Sequence, residues 1–384
     1  MSDTSRVQLA YVAESSFGAV KSGVNLQKLR YDSESLRQTS STVRSNEIRS
    51  DRRVPSIRRS RVETAGSING ELSYGTFDDF LMAALQASAW QAPVTVGPKT
   101  TLAAVATGNK ITDSGNGLGT LTANQWIYVT GFTTAANNGF FKIVSKAAGE
   151  IVVSGGTLSD EVAGDTVTIV QGGYLTVGTT LTSYNIEKTF ADLSSELSLL
   201  VGQAPSGMTL TVPQDGVVTV SFDFIGVSED SITASNGSGY TNATTTGVFT
   251  ARDVVNLLEN QAAMGITGLS FKLANNLRTR LQCGSTGVTS LGSGTIDLSG
   301  SLTAYYTSKT IYDKFLDETA SAVALALRDP DGNGYVFEMP QIKLTSGQRV
   351  AGGANGDVMA EMGFDAYMDP SESVMIRIAR FPAS

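Results

Sequence analysis

Alternation of apolar and polar residues runs through this chain and predicts a protein made mainly of β-strands. Alternating segments recur from Gln8–Val12 onward, and the turns between them are rich in Gly, Asn and Asp. Helical spacing of apolar residues occurs at Phe77–Ala87, with Thr76 as the expected N-cap and with Asp78 and Asp79 suited to the positive end of the helix. The pattern predicts packed sheets with a few short helices.

One strand-and-helix unit occurs twice along the chain. It consists of a strand with a central Gly, followed by an acidic and aromatic helix start. Its two copies are Ile68–Leu72 with Phe77–Leu81 and Leu298–Leu302 with Tyr312–Leu316. The repeat predicts two tandem modules of one supersecondary unit, and a chance match or a shared β pattern is the alternative explanation.

A second match extends the repeat to a later strand of each module. Ser221–Phe224 aligns with Gly363–Ala366, so Asp223 corresponds to Asp365 in this alignment. These two acids and Glu361 fall on the polar side of alternating strands. They are either functional or part of an ordinary solvated face.

The composition changes between Pro93 and Gly172, where charges are few and short strands follow one another. A segment of this length can fold alone, so we read it as a small all-β insert that interrupts the first module after its helix. The predicted organisation is a first module in two parts (1–92, with a long arm at 33–62, and 173–232), the insert (93–172), a linker or loop (233–247) and a second module (248–384).

Composition argues against an enzyme. The 384 residues include no His and a single Cys, Cys283, so His-based catalysis, thiolate metal sites and an internal disulfide are excluded. We expect no metal and no cofactor. No apolar run is long enough for a membrane helix, and the N-terminus lacks the pattern of a secretory signal.

Two local motifs resemble ligand loops but are better explained as turns. Asp329–Gly334 opens like a calcium loop, yet Pro340 stands where the bidentate Glu is needed, so a hairpin turn is expected. Gly115–Gly119 is rich in glycine but lacks the Lys-Ser/Thr of a phosphate loop, so it is read as a surface turn.

Positive charge is concentrated near the N-terminus. Residues 1–62 hold 12 Lys and Arg against 6 Asp and Glu, although the whole chain has a net charge of −8. Eight of these cations lie in the arm: Arg37, Arg44, Arg49, Arg52, Arg53, Arg58, Arg59 and Arg61. Such an arm either binds nucleic acid or docks on an acidic surface of a sister subunit. We favour docking because the arm has no aromatic residues for base stacking and the rest of the chain is acidic.

A series of short motifs, in this order, resembles the tail tube proteins of long-tailed, non-contractile bacteriophages. The motifs are Ala10–Gly18, Leu29–Leu36, Ser45–Arg52, Gly70–Tyr74, Val212–Gly216 and Asn275–Arg278. None is catalytic, and the specificity comes from their number and order. Residues 19–21 read Ala-Val-Lys where the family often carries prolines.

The resemblance implies a fold and a function. The fold would be two tandem tail-tube-like β-sandwich modules, each with a flanking helix, plus the all-β insert on the outer surface. Such proteins form rings that stack into a hollow tube around a tape-measure protein, joined at its ends to tail-end proteins. They assemble in the bacterial cytoplasm, reside in the virion tail, have no membrane partner and conduct viral DNA without binding it specifically.

Three expectations for this chain follow from the resemblance. A doubled chain would need three copies per ring, which gives a trimer with pseudo-sixfold symmetry, and a hexamer is the alternative. The arm would reach the neighbouring ring. Asp223, Glu361 and Asp365 would line an acidic channel.

Two other classes of function remain open from the residues alone. The Ser, Thr and Gly-rich strands and the compact insert also suit a cell-surface adhesin or a carbohydrate-binding β-rich module. The basic arm also suits a nucleic-acid-binding protein.

Overall fold

The computed structural model describes residues 3–383 except 264, 352, 353 and 355, and its described part is mainly β with two α-helices. The predicted fold class is therefore confirmed. The elements before the insert are β1 (Val7–Ala13), β2 (Asn25–Lys28), β3 (Ser33–Glu34), β4 (Arg37–Arg44), β5 (Ile57–Glu71) and α1 (Asp78–Ala84). The insert contains β6 (Val94–Lys99), β7 (Leu102–Val105), β8 (Lys110–Asp113), β9 (Trp126–Thr130), β10 (Gly139–Lys146), β11 (Glu150–Ser154) and β12 (Val167–Gln171).

The remaining elements follow the insert. They begin with β13 (Gly173–Thr176), β14 (Tyr184–Phe190), β15 (Leu197–Val212), β16 (Thr219–Gly226), β17 (Ser228–Ile232) and β18 (Gly239–Thr241). They continue with β19 (Val254–Glu259), β20 (Ala262–Ala263), β21 (Ile266–Ala274), β22 (Arg278–Arg280), β23 (Ser290–Gly292), β24 (Asp297–Tyr305), α2 (Thr310–Leu316), β25 (Ser321–Arg328), β26 (Gly334–Ala351), β27 (Val358–Ala366) and β28 (Arg377–Phe381). Short 3₁₀ turns occur at Thr4–Arg6, Gly117–Thr120, Ala135–Asn137 and Ala251–Asp253.

One antiparallel sheet, here named the long sheet, runs through both halves of the chain. It starts with β3 and β4, which both pair with β5, and continues in the order β5, β16, β15, β21, β24, β27, β26. The pairing of β15 with β21 joins the first half to the second, with Gly207 opposite Ala274 and Val212 opposite Leu269. The two halves therefore share one sheet.

Two smaller cap sheets pack against the apolar face of the long sheet. The first has the order β18, β2, β1, β14, β15, β17, and the second has the order β20, β19, β25, β26, β28, β13. β15 and β26 pass from a cap sheet into the long sheet, and each has a register shift there, between Pro205 and Gly207 and between Leu344 and Ser346. The same strand connectivity thus occurs in both halves.

Packing explains why both copies of the repeated strand carry a glycine. A Cβ on Gly70 would lie 2.6 Å from Cζ of Phe77, and a Cβ on Gly300 would collide with Cζ of Phe364. An aromatic ring therefore rests on the backbone at both positions, and any side chain would displace it.

The register of the long sheet corrects the predicted alignment of the late strands. Gly70 pairs with Val220, whereas Gly300 pairs with Phe364. The predicted match of Ser221–Phe224 with Gly363–Ala366 is therefore wrong by two residues, although both segments do lie on equivalent strands. Short alternating strands align equally well after a shift of two, because the side-chain period is two.

Helix α1 begins later than expected and ties the two halves together. Its N-cap residue is Phe77, and the Thr76 hydroxyl instead hydrogen-bonds the Ser73 hydroxyl at 2.5 Å, so the predicted N-cap is wrong. Asp78 is buried, where it accepts a hydrogen bond from the Tyr335 hydroxyl and pairs with Arg380. Burial raises the pKa of this carboxyl group.

The insert is an all-β unit with its own apolar core. Its seven strands follow the order β6, β12, β9, β10, β11, β8, β7, and residues such as Ile127, Ile143 and Ile169 fill its interior. Although it interrupts the first half of the sequence, it packs on the second cap sheet, where Trp126 and Phe140 contact a cluster that includes Phe381. The insert therefore packs against the second half of the chain, although its sequence interrupts the first half.

Four nearly buried charges join the insert to the second cap sheet. Lys142 from β10 lies 2.6 Å from a carboxylate oxygen of Glu338 and 2.6 Å from one of Glu372. Arg377 pairs with the same two acids, at 2.9 Å from Glu372. The network balances its charges only when the insert is docked.

Replacing Lys142 tests this network. Lys142→Met leaves the two buried acids with Arg377 alone and should lower the free energy of unfolding by about 3 kcal/mol or more. Lys110→Met is the matched control, because Lys110 pairs with Glu150 at 3.1 Å on the surface and should matter by less than about 1 kcal/mol. Urea unfolding followed by tryptophan fluorescence measures both, and equal losses would contradict the role of the network.

Candidate assembly interface

The side of the long sheet that faces away from the cap sheets is polar. Its central cross-strand row runs Ser33, Asn69, Ser221, Thr209, Lys272, Ser299, Asp365, Lys343. The alternate residues of the same strands, such as Phe222, Phe271 and Phe364, are buried in the core. A face this rich in hydroxyl and amide groups binds water well and offers little for apolar contact.

All three predicted channel acids lie on this polar face. Asp223 is on β16, at 3.6 Å from the Lys272 ammonium. Glu361 and Asp365 are both exposed on β27, and Glu361 accepts a hydrogen bond from the Gln348 amide beside a shallow cavity of about 470 Å³. Asp223 is not the register equivalent of Asp365; Ser221 is.

The polar face also contains charged residues that the sequence reasoning missed. Glu71 and Asp297 add two exposed acids, and Lys272 and Lys343 add two exposed bases. The sequence does contain a signal for Lys272, because it alternates with the apolar residues Leu269, Phe271 and Leu273 and is therefore expected on the polar face of its strand. Outside the hairpin of β4 and β5, the described residues of this face include five acids and two lysines, so this part of the face is acidic.

The predicted arm is a projecting β-hairpin. β4 pairs with the first part of β5 from Arg37 opposite Ala65 to Arg44 opposite Ile57, and residues 45–56 form the connecting loop, named here the arm loop. The sequence predicts only a long arm at 33–62 and not its pairing, because its Ser, Thr and Arg residues show no apolar periodicity. Pairing in this hairpin comes from the backbone, which the side-chain pattern does not report.

Most arginines of the hairpin are free for contact with another molecule. Arg61 pairs with Glu63, and Arg49 pairs with Asp51 at 3.0 Å. In the described part of the chain, no ion pair or hydrogen bond is formed by the guanidinium groups of Arg37, Arg44, Arg52, Arg53, Arg58 and Arg59. The positive charge of the arm is evident from the sequence, whereas the structure shows how these arginines are distributed over two strands and a loop.

Exposed apolar side chains accompany the arginines, which sequence reasoning also missed. Ile48 in the arm loop is 100% exposed, and Val43, Val54 and Ile57 are more than half exposed. Apolar side chains held this far from any core mark surfaces that are buried in an assembly.

The second half of the chain supports the base of this hairpin. The Val62 N–H donates to the carbonyl of Thr286 at 2.8 Å, and Arg61 Nη2 donates to Thr279 Oγ1 at 2.5 Å. The segment between β21 and β24, which holds the small β22–β23 hairpin, is itself anchored through Val288 and Leu291. This segment is the structural equivalent, in the second half, of the projecting hairpin in the first half, and it is shorter than the hairpin.

The two ligand-like motifs are turns, as predicted. The Asp329 carboxylate accepts from the backbone N–H of Asn333 at 2.7 Å and closes the hairpin between β25 and β26. In the glycine-rich loop, the N–H groups of Gly115 and Gly117 both donate to the buried Asp113 carboxylate at 2.8 Å. A phosphate would find these donors already occupied.

Within the described residues, no group of three or more His, Cys, Asp or Glu side chains could hold a metal ion. Over the same part of the chain, neither helix has the length and apolar character needed to cross a membrane.

The fold and its surfaces define a structural protein of the β-sandwich class, with a long sheet, a polar face and a projecting hairpin suited to self-association. A family model described as phage tail tube protein matches residues 4–366. The chain therefore belongs to the phage tail tube protein family, a viral structural family whose members associate into the tube of the virion tail. A search of curated proteins found no match.

The glycine-rich loop gives a pH-dependent prediction. Burial acts to raise the pKa of Asp113, but donation from Lys99, Thr101, Gly115 and Gly117 outweighs burial and holds the pKa well below its usual range. The carboxylate therefore stabilises the fold above the unfolded-state pKa of about 3.9, and this contribution is lost as pH falls through the folded-state pKa.

Asp113→Asn should accordingly cost on the order of 2 kcal/mol near neutral pH, and its difference from wild type should shrink in acid. Urea unfolding as a function of pH measures this. In a Lys99→Met background, Asp113→Asn should lower the free energy of unfolding by less, because the ion pair between Lys99 and Asp113 is already absent. A difference that stays constant across pH would contradict the assignment.

Proposed function

We propose that this protein forms rings of three chains that stack into the hollow tail tube, the conduit through which viral DNA enters the bacterial host. The observation that carries the proposal is the β15–β21 pairing, which joins two similar halves edge to edge in one sheet. A repeat of this junction between chains would extend the sheet around a ring.

The long sheet has two ends that suit such a junction. Beyond Leu344, β26 pairs only with β27 among the described strands, so its other edge is open. The equivalent edge of β15 is the one that pairs with β21 inside the chain. At the other edge of the long sheet, β3 pairs with β5 in the same way that β21 pairs with β24, so β3 is the counterpart of β21. Pairing of β26 with the β3 region of the next chain would reproduce the internal junction.

Three chains would then contribute six similar halves, and the ring would be a trimer with pseudo-sixfold symmetry. We keep the module boundaries proposed from the sequence (1–92 with 173–232, and 248–384), although β13 at the start of 173–232 pairs with β28 of the second half. The 233–247 segment is held to the first half by β18, which pairs with β2.

The polar face of the long sheet would line the channel. DNA carries one negative charge per about 1.7 Å of helix axis and is retained by basic surfaces through counterion release. Outside the hairpin of β4 and β5, the lining would hold five acids and two lysines and would repel the phosphates, so DNA would slide without specific binding. The same channel would hold the tape-measure protein before ejection, in tubes assembled in the bacterial cytoplasm and joined to the tail-end proteins.

Stacking of the rings would depend on the arm. Its free arginines suit bidentate pairing with carboxylates of the neighbouring ring, and its exposed apolar residues suit burial there. Interfaces of this permanent kind commonly bury on the order of 2,000 Å² or more.

Electron microscopy tests assembly directly. Purified protein at high concentration should form hollow tubes in negative stain, and native mass spectrometry of single rings should give three chains per ring. Six chains per ring would overturn the trimer, and discrete monomers at all concentrations would overturn the tube.

A loop replacement tests the arm. Arg44 and Ile57 are the last paired residues of the hairpin, so replacing residues 45–56 by Asn-Gly should close it with a tight turn and keep the fold. We expect rings without tubes. A Gly/Ser loop of the original length is the control for spacing and should also fail to stack, whereas normal tubes from either variant would refute the docking role.

Reversing the channel charges tests the lining. Asp223→Lys, Glu361→Lys and Asp365→Lys together should leave tubes intact but slow genome ejection from virions, because the lining would attract phosphate. The control reverses three exposed acids elsewhere, Asp160, Glu196 and Asp331, with the same change in net charge. Equal ejection rates for the two triple variants would rule out the assignment.

A further inference from the structure

The projecting hairpin and the turn between β15 and β16 lie at opposite ends of the long sheet. β5 runs without a break from Ile57, at the hairpin, to Glu71. Glu71 pairs with Thr219, so the turn between β15 and β16 lies at the end remote from the arm, as does the start of β21 at Ile266. We name these the arm end and the far end.

This polarity decides which surfaces meet in a tube. Stacking of identical ends would bury them in a pair of rings and stop, whereas head-to-tail stacking repeats without limit. In a growing tube the arm end of each ring therefore faces the far end of the next.

The far end has a groove with a cavity of about 290 Å³, open between the long sheet and the second cap sheet and lined by both apolar and polar groups. Ile266 and the end of β15 line one side, and Val254 and Leu257 of β19 line the other, with Gln214 at its rim. Val254, Leu257 and Ile266 are partly exposed although they pack on the core. The groove is thus an opening into the apolar interior between two sheets.

The arm loop has the complementary properties. Ile48 is fully exposed and Val54 is 53% exposed, so the loop offers two branched apolar side chains to a partner. The surrounding arginines are cationic, and the far end presents three exposed acids, Glu71, Asp215 and Asp357, which outnumber its two exposed arginines, Arg252 and Arg349. Apolar and electrostatic complementarity therefore point to the same pair of surfaces.

We propose that the arm loop of one ring seats Ile48 in this far-end groove of a second copy of the chain in the next ring. The inference rests on the proposed stacking by the arm and adds its acceptor. Because each chain has one arm loop, each arm would occupy the groove of one chain in the next ring.

Cross-linking tests the contact. In a Cys283→Ser background, Ile48→Cys combined with Gln214→Cys should form disulfides between chains on oxidation of assembled tubes, since a disulfide needs Cα atoms within about 7 Å. Non-reducing gels should show a ladder of linked chains, and the ladder should be absent when unassembled protein is oxidised. The matched control is Ile48→Cys with Val20→Cys, because Val20 is 51% exposed near the arm end.

Leu257→Glu and Ile48→Glu give a second measurement. Each should yield rings that bind one another at least tenfold more weakly and form no tubes at concentrations where wild type does. If the Asn-Gly loop replacement abolishes tubes but the 48–214 pair fails to cross-link and Leu257→Glu assembles normally, the groove is wrong and arm docking stands. If tubes form without the arm loop, the proposed stacking itself is wrong. A ladder from the Ile48→Cys with Val20→Cys control alone would show that the arm loop contacts the arm end of the neighbouring chain, which would overturn the proposed contact.

Discussion

The backbone pairing of β15 with β21 is the contact on which the rest of this structure depends. It aligns Met208 with Leu273 and Leu210 with Phe271, so the apolar faces of both halves continue into one core. Because side chains alternate along a strand, the same register also sets the polar residues of both halves on one opposite face. A shift of one residue would turn Lys272 into the core.

The polarity of the molecule follows from this antiparallel sheet. One end carries the projecting hairpin, and the other carries the turn after Val212 and the opening between the sheets. The two halves differ at the arm end, since the first projects a hairpin while the second provides a short segment that holds its base through Thr286. The two halves therefore share a strand connectivity but differ in structure at the arm end.

The contacts between the halves extend beyond the long sheet. Asp78 of the first helix reaches Tyr335 and Arg380, and β13 completes the second cap sheet beside β28. The insert adds a further connection, because Lys142 shares Glu338 and Glu372 with Arg377. Removal of one charge from such a network leaves another without its partner in a medium of low dielectric. The chain therefore behaves structurally as one unit.

The sequence by itself determined what local chemistry dictates: the β-rich class, the insert strands, the repeated strand and helix, the two turns and the charge of the arm. It placed Asp223, Glu361 and Asp365 on polar strand faces, because alternation is a local property. Only the tertiary structure decided that these faces form one surface, that Lys272 neutralises part of it, that the arm is a hairpin with Ile48 exposed, and that the insert packs on the second half. These features depend on pairing and packing between residues far apart in the chain, and a period of two leaves register and partner undetermined.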